Sequence, residues 1–99
     1  MTRKEFEDKV DAVAAGVGEL IKVKNKQYGH DNPMKCFGHG VYGIHIRLED
    51  KINRLDSILQ TDAPEDTTKL YKELFYDIAG YALIALILLV EEEKIENKS

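Results

Sequence analysis

The stretch LYKELFYDIAGYALIALILLV, from Leu70 to Val90, decides the fold of this chain. From Ile78 onward its apolar residues surround most of a helical circumference, so that such a helix has to be covered on nearly all sides. Glu73 and Asp77 are four residues apart near the start of this run and therefore lie on one helical face. Because burying an unpaired charge costs roughly several kcal/mol, Asp77 needs a bound cation, a hydrogen-bonding partner or a wet cleft.

Length and charge limit the classes of protein to which the chain can belong. It has 99 residues, of which 43% are hydrophobic and 32% are charged, and its net charge is -4. This length predicts a single domain over residues 1–99, and the composition is typical of a folded globular protein. An acidic balance argues against affinity for nucleic-acid polymers, so we expect a small ligand instead.

Cysteine usage and hydropathy indicate where the protein works. Cys36 is the only cysteine, which excludes an intrachain disulfide and fits a reducing compartment. The N-terminus lacks the apolar core of a signal peptide, and the run from Ile78 to Val90 is shorter than the roughly 20 residues of a membrane span. We therefore expect a cytoplasmic protein without a membrane-spanning segment.

Hydrophobic periodicity predicts an all-α fold with no strand. Thr2 and Glu5 form a capping box at the start of the first helix. Residues 28–40, YGHDNPMKCFGHG, combine turn formers with no regular period and predict a long loop, of a kind that is often functional in small domains. We expect a three-helix antiparallel unit with this loop between helices one and two. The predicted helices are Arg3 to Lys26, Val41 to Gln60 and Thr67 to Glu93.

Helix three has apolar residues around most of its circumference, which also predicts self-assembly. Two amphipathic helices each cover only about a third of its circumference, and large bare apolar patches are rarely left facing water. We expect a homo-dimer or a higher even oligomer, which extends the unit into a larger helical bundle through Tyr81 to Val90. The ligand site is expected close to the subunit boundary.

Four carboxylates suggest a metal site. Two helices joined by a short turn lie antiparallel, which can bring Glu49 and Asp50 near Glu73 and Asp77. Oxygen ligands of this kind suit Mg²⁺, which commonly bridges the phosphates of a nucleotide. The alternative is that all four carboxylates are exposed on solvated helix faces.

Basic and aromatic residues form a second group. Lys and Arg can neutralise phosphate, aromatic rings can stack on a base, and a Gly-rich loop allows close backbone approach. The alternatives are solvated lysines, a core position for Phe37 and structural histidines. The candidate nucleotide-binding residues are Lys24, Lys26, Tyr28, His30, Lys35, Phe37, His39, Arg47, Lys51, Arg54 and Tyr81.

Three short blocks carry a resemblance to a known family. KNKQYG (24–29), RLEDKINRL (47–55) and YDIAGYALIAL (76–86) resemble the phage-associated nucleotide-modification-associated domain 1. That family is similar to the all-α nucleoside triphosphate pyrophosphohydrolases of the MazG and dimeric dUTPase type, whose metal motifs are E-E-x-x-E and E-x-x-D. Here the first motif reads Glu49-Asp50-x-x-Asn53, and Glu73 and Asp77 are one residue further apart than the second motif requires. These departures favour binding over hydrolysis.

The resemblance implies a phage or prophage-type nucleotide-binding protein that acts on a phosphorylated nucleotide or deoxynucleotide. Metal-dependent hydrolysis or modification is one expectation, and the sequence assigns no catalytic residue. A non-enzymatic oligomer that sequesters a nucleotide immune signal is a second. A helical assembly module without a ligand is a third.

Overall fold

Three helices and no strand make up the part of the chain that the computed structural model describes, residues 1–27, 40–60 and 67–98. The all-α prediction is confirmed. Residues 28–39 of the predicted loop and residues 61–66 between the last two helices lie outside the described part. The helices are α1 (Arg3–Gln27), α2 (Gly40–Gln60) and α3 (Thr67–Lys98).

The helix ends follow local chemistry. At the start of α1, the backbone N–H of Glu5 donates to the Thr2 hydroxyl at 3.1 Å, which confirms that Thr2 caps the helix. The first residue of α2, Gly40, has a φ of 58°, a left-handed conformation that glycine adopts without strain. Helix α3 continues past the predicted end at Glu93. Its charged end consists largely of Glu and Lys, which are good helix formers, and Lys94 pairs with Glu91 at 3.2 Å.

The chain divides into two compact units, Met1–Asp31 and Asn32–Ser99. The first unit contains α1, whose residues 3–16 are all exposed. The second contains α2 and α3, which pack against each other. The single-domain prediction and the placement of the first helix in the three-helix unit therefore stay predictions.

Two contacts define the α2–α3 hairpin as antiparallel. Arg47 lies over the ring of Tyr81, and Lys51 forms an ion pair with Asp77. A step of four residues forward on α2 is thus a step of four residues back on α3. Ile44 of α2 is fully buried, and Leu74 and Gly80 of α3 are also buried. Buried positions are therefore spread along the length of the hairpin.

A broad apolar surface of α3 remains exposed. Helix α3 is long and apolar enough over Thr67–Glu96 to cross a membrane. Its most apolar 18-residue window has a mean hydropathy of 1.9, and 11% of that window is buried. Core helices of soluble proteins can have the same length and composition. The expected cytoplasmic location and the expected absence of a membrane segment stay predictions. The large exposed apolar residues of α3 are Leu70, Phe75, Leu83, Leu86, Ile87, Leu89, Val90 and Ile95.

Candidate functional site

An open groove of about 440 Å³ runs between α2 and α3. It is a shallow depression that is open to solvent, not an enclosed cavity. Three of the lining side chains are apolar and three can form hydrogen bonds. The lining residues of this α2–α3 groove are His45, Leu48, Glu49, Ile52, Asn53 and Ile78.

Helical spacing places these residues along one side of α2. His45, Glu49 and Asn53 follow one another at intervals of four residues and so form one row along the helix. Leu48 and Ile52 form the neighbouring row, in which Leu48 is half-buried and Ile52 is 48% exposed. The sequence thereby builds an apolar floor with a polar edge, and Ile78 of α3 completes the floor.

The polar edge is accessible to a ligand. His45 Nε2 lies 3.0 Å from Glu49 Oε1, and both side chains are about two-thirds exposed. Because an ionised carboxylate only accepts hydrogen bonds, the imidazole donates this one. Exposed pairs of this kind contribute little stability, so a ligand can replace either partner at small cost. Asn53 adds an amide with both a donor and an acceptor on the same edge.

Asp77 has the partner that its place in an apolar helix requires. Its Oδ2 lies 3.3 Å from Nζ of Lys51, and the two side chains are only 25% and 16% exposed. Of the alternatives that the sequence leaves open, the described residues show a side-chain partner, Lys51 of α2. The pair joins the two helices within their shared interface, where a charge without a partner would destabilise the fold.

One helical turn away, Arg47 and Tyr81 form a second contact across the hairpin. The guanidinium carbon of Arg47 lies 6.0 Å from the centroid of the Tyr81 ring, at the limit of a cation–π interaction. Three predicted nucleotide-binding residues, Arg47, Lys51 and Tyr81, thus lie together at one helix interface. Each of them contacts the opposite helix.

The four carboxylates predicted to hold metal have different surroundings. Asp50 pairs with Arg54 at 3.4 Å on the exposed surface of α2, whereas its sequence neighbour Glu49 lines the groove with His45. Adjacent residues point about 100° apart on a helix, and Asp50 is not among the residues that line the groove. Glu73 is exposed on α3.

No set of metal ligands is assembled in the described residues. Across residues 1–27, 40–60 and 67–98, no group of three or more His, Cys, Asp or Glu side chains is placed to hold a metal ion. Mg²⁺ is often held by only one or two carboxylates together with substrate phosphates, so the Mg²⁺ site stays a prediction.

The remaining predicted ligands belong to other segments of the chain. Lys24 and Lys26 belong to the last turn of α1, in the first compact unit. The loop residues Tyr28, His30, Lys35, Phe37 and His39 lie outside the described part of the chain. Sequence reasoning missed His45, Leu48, Ile52 and Ile78 as site residues. The repeat of polar residues at His45, Glu49 and Asn53 beside an apolar row is the signal that points to them.

Comparison with known proteins adds no relative. No family model, no curated protein and no solved structure matches the chain.

Proposed function

We propose that this chain binds a small phosphorylated nucleotide and holds its base in the α2–α3 groove. The observation that carries the proposal is the groove itself, which combines an apolar floor with three hydrogen-bonding side chains along one edge. Bases are commonly bound in this way, with their faces against apolar or aromatic groups and their edges hydrogen-bonded. The resemblance of the three sequence blocks to the nucleotide-modification-associated family supports the same class of ligand.

Each lining residue has a role that follows from its chemistry. Leu48, Ile52 and Ile78 contact the face of the base and exclude water from it. Glu49 accepts a hydrogen bond from an amino or imino group of the base, and the amide of Asn53 pairs with a neighbouring donor and acceptor. The imidazole of His45 is released from Glu49 and donates to a ribose or phosphate oxygen.

Binding without hydrolysis is the function that the carboxylates support best. Asp77, Asp50 and Glu49 each have a basic side chain within 3.4 Å. Hydrolysis by the mechanism of the similar pyrophosphohydrolases needs carboxylates that share a cation. The departures from the E-E-x-x-E and E-x-x-D motifs, at Asn53 and in the spacing of Glu73 and Asp77, also favour a nucleotide-sequestering protein over a metal-dependent hydrolase or modifying enzyme.

Ile52→Trp should lower nucleotide affinity by at least about tenfold, because the indole ring occupies the space of the base. The matched control is Ile46→Trp. Ile46 lies on the same helix and is 49% exposed, against 48% for Ile52, but it does not line the groove. Isothermal titration calorimetry of both variants provides the comparison, and equal affinities would contradict a base site in the groove.

Mass spectrometry of the bound and released nucleotides distinguishes sequestration from catalysis and from the absence of a ligand. The unmodified protein is incubated with a panel of ribonucleotides, deoxynucleotides and cyclic dinucleotides, with and without Mg²⁺. We expect retention of at least one unmodified nucleotide and no dependence on Mg²⁺. Turnover that requires Mg²⁺ would contradict this proposal and support a hydrolase or modifying enzyme. The absence of any bound nucleotide would also contradict it and support a helical assembly module without a ligand.

A further inference from the structure

One exposed stripe along α3 carries residues of complementary size or charge at equal distances on either side of its centre. Its members recur every three or four residues on either side of the adjacent pair at its centre, so they share one side of the helix. All are exposed. Lys72 and Glu93 are the charged ends, and everything between them is apolar. This outer stripe consists of Lys72, Phe75, Ala79, Ala82, Leu83, Leu86, Val90 and Glu93.

The midpoint of the outer stripe lies between Ala82 and Leu83. Three residues further out on each side, small Ala79 is matched by large Leu86. At the ends, the cation of Lys72 is matched by the anion of Glu93. Phe75 and Val90 occupy the matching positions between these two pairs.

We propose that two copies of this chain pair through the outer stripe, with their α3 helices antiparallel and a two-fold axis between Ala82 and Leu83. In this register Leu86 of one copy packs beside Ala79 of the other, so each bulky side chain enters the space left by a small one. Lys72 of one copy meets Glu93 of the other at both ends of the interface. Two-fold symmetry repeats every contact, which is the usual construction of a protein dimer.

Charge complementarity selects a second copy as the occupant of this apolar surface. A parallel pair would place Lys72 against Lys72 and Glu93 against Glu93, which is unfavourable at both ends.

The dimer goes beyond the proposed nucleotide site and can be tested separately from it. Phe75 and Leu86 lie roughly 160–200° around the helix from Asp77, as the 3.6-residue turn requires. The outer stripe therefore faces away from the side of α3 that contacts Lys51 of α2. On α3 the groove is lined by Ile78, which is three residues from Phe75 and four from Ala82 of the outer stripe, so the nucleotide site lies beside the proposed interface. Sedimentation of the nucleotide-free protein therefore measures the dimer by itself.

Charge exchange tests the register. We expect Lys72→Glu alone and Glu93→Lys alone each to raise the dimer dissociation constant about fivefold, because two ion pairs per dimer are replaced by like charges. The double variant should restore the original value, since each pair is then re-formed with its signs exchanged. Analytical ultracentrifugation at low salt measures all four proteins. Failure of the double variant to recover would overturn the antiparallel register.

Leu86→Glu tests the surface itself. It should raise the dissociation constant at least about 100-fold, because each dimer would then bury two carboxylates without partners. The control is Leu59→Glu, at a leucine of α2 that is 76% exposed, against 59% for Leu86, and lies outside the outer stripe. Circular dichroism establishes that both variants remain helical. An unmodified protein that is monomeric at micromolar concentration, or that floats with phosphatidylcholine vesicles, would overturn the proposal.

Discussion

Ile44→Ala should lower the free energy of unfolding by about 2–4 kcal/mol, the range for removing a large buried aliphatic side chain. Ile44 is only 1% exposed and is the largest fully buried side chain in the described residues. Domains of this size have total stabilities of only about 5–15 kcal/mol, so the loss is a large fraction of the whole. We expect a lower urea midpoint and a less stable α2–α3 hairpin.

The control for this prediction lies two residues along the same helix. Ile46 is 49% exposed, so Ile46→Ala removes the same atoms from a site where they contribute little to packing. Its free energy of unfolding should stay within about 0.5 kcal/mol of the unmodified protein. Urea titrations followed by circular dichroism measure both variants, and equal destabilisation by the two would contradict the packing of the hairpin described above.

Asp77→Ala should destabilise the fold by about 2–3 kcal/mol. Breaking a fully buried ion pair costs about 3–5 kcal/mol because one charge is left buried without a partner. The smaller expectation reflects the side-chain exposures of Asp77 and Lys51, 25% and 16%. The double variant Lys51→Met/Asp77→Leu should recover most of the loss, since well-packed apolar residues can replace a buried pair.

The exposed Asp50–Arg54 pair on α2 is the control. Its two side chains are 61% and 62% exposed, so Asp50→Ala should change stability by no more than about 0.5 kcal/mol. Thermal melts and nucleotide titrations on the same samples separate two roles of Asp77. If Asp77 served a ligand or metal instead of the fold, Asp77→Ala would leave the melting temperature unchanged and lower affinity.

Local patterns in the sequence predict the helices well, because each helix has its own periodicity and end signals. The predicted starts of α1 and α3 agree with the structure, and the start of α2 differs by one residue. The sequence predicts too early an end for α3, because the exposed residues that follow Glu93 have no buried face. Helix formation there depends on the propensities of Glu and Lys instead of on burial.

The site was harder to predict, because it depends on how α2 is rotated against α3. The charge of Asp77 required a partner, but nothing local identifies Lys51, 26 positions earlier in the chain, as that partner. Glu49 and Asp50 are adjacent in sequence, but their side chains have different surroundings in the structure. The rotation that buries Ile44 turns Glu49 towards the groove instead and leaves Asp50 beside Arg54.

An amide chemical-shift map is the most direct test of nucleotide binding in the α2–α3 groove. Isotope-labelled protein is titrated with the deoxynucleoside triphosphates and cyclic dinucleotides of the panel, in parallel with the Ile52→Trp variant. We predict that the largest shifts occur from His45 to Asn53 and at Ile78, and that the variant loses them. Binding whose shifts avoid these residues, or that persists unchanged in Ile52→Trp, would contradict the account.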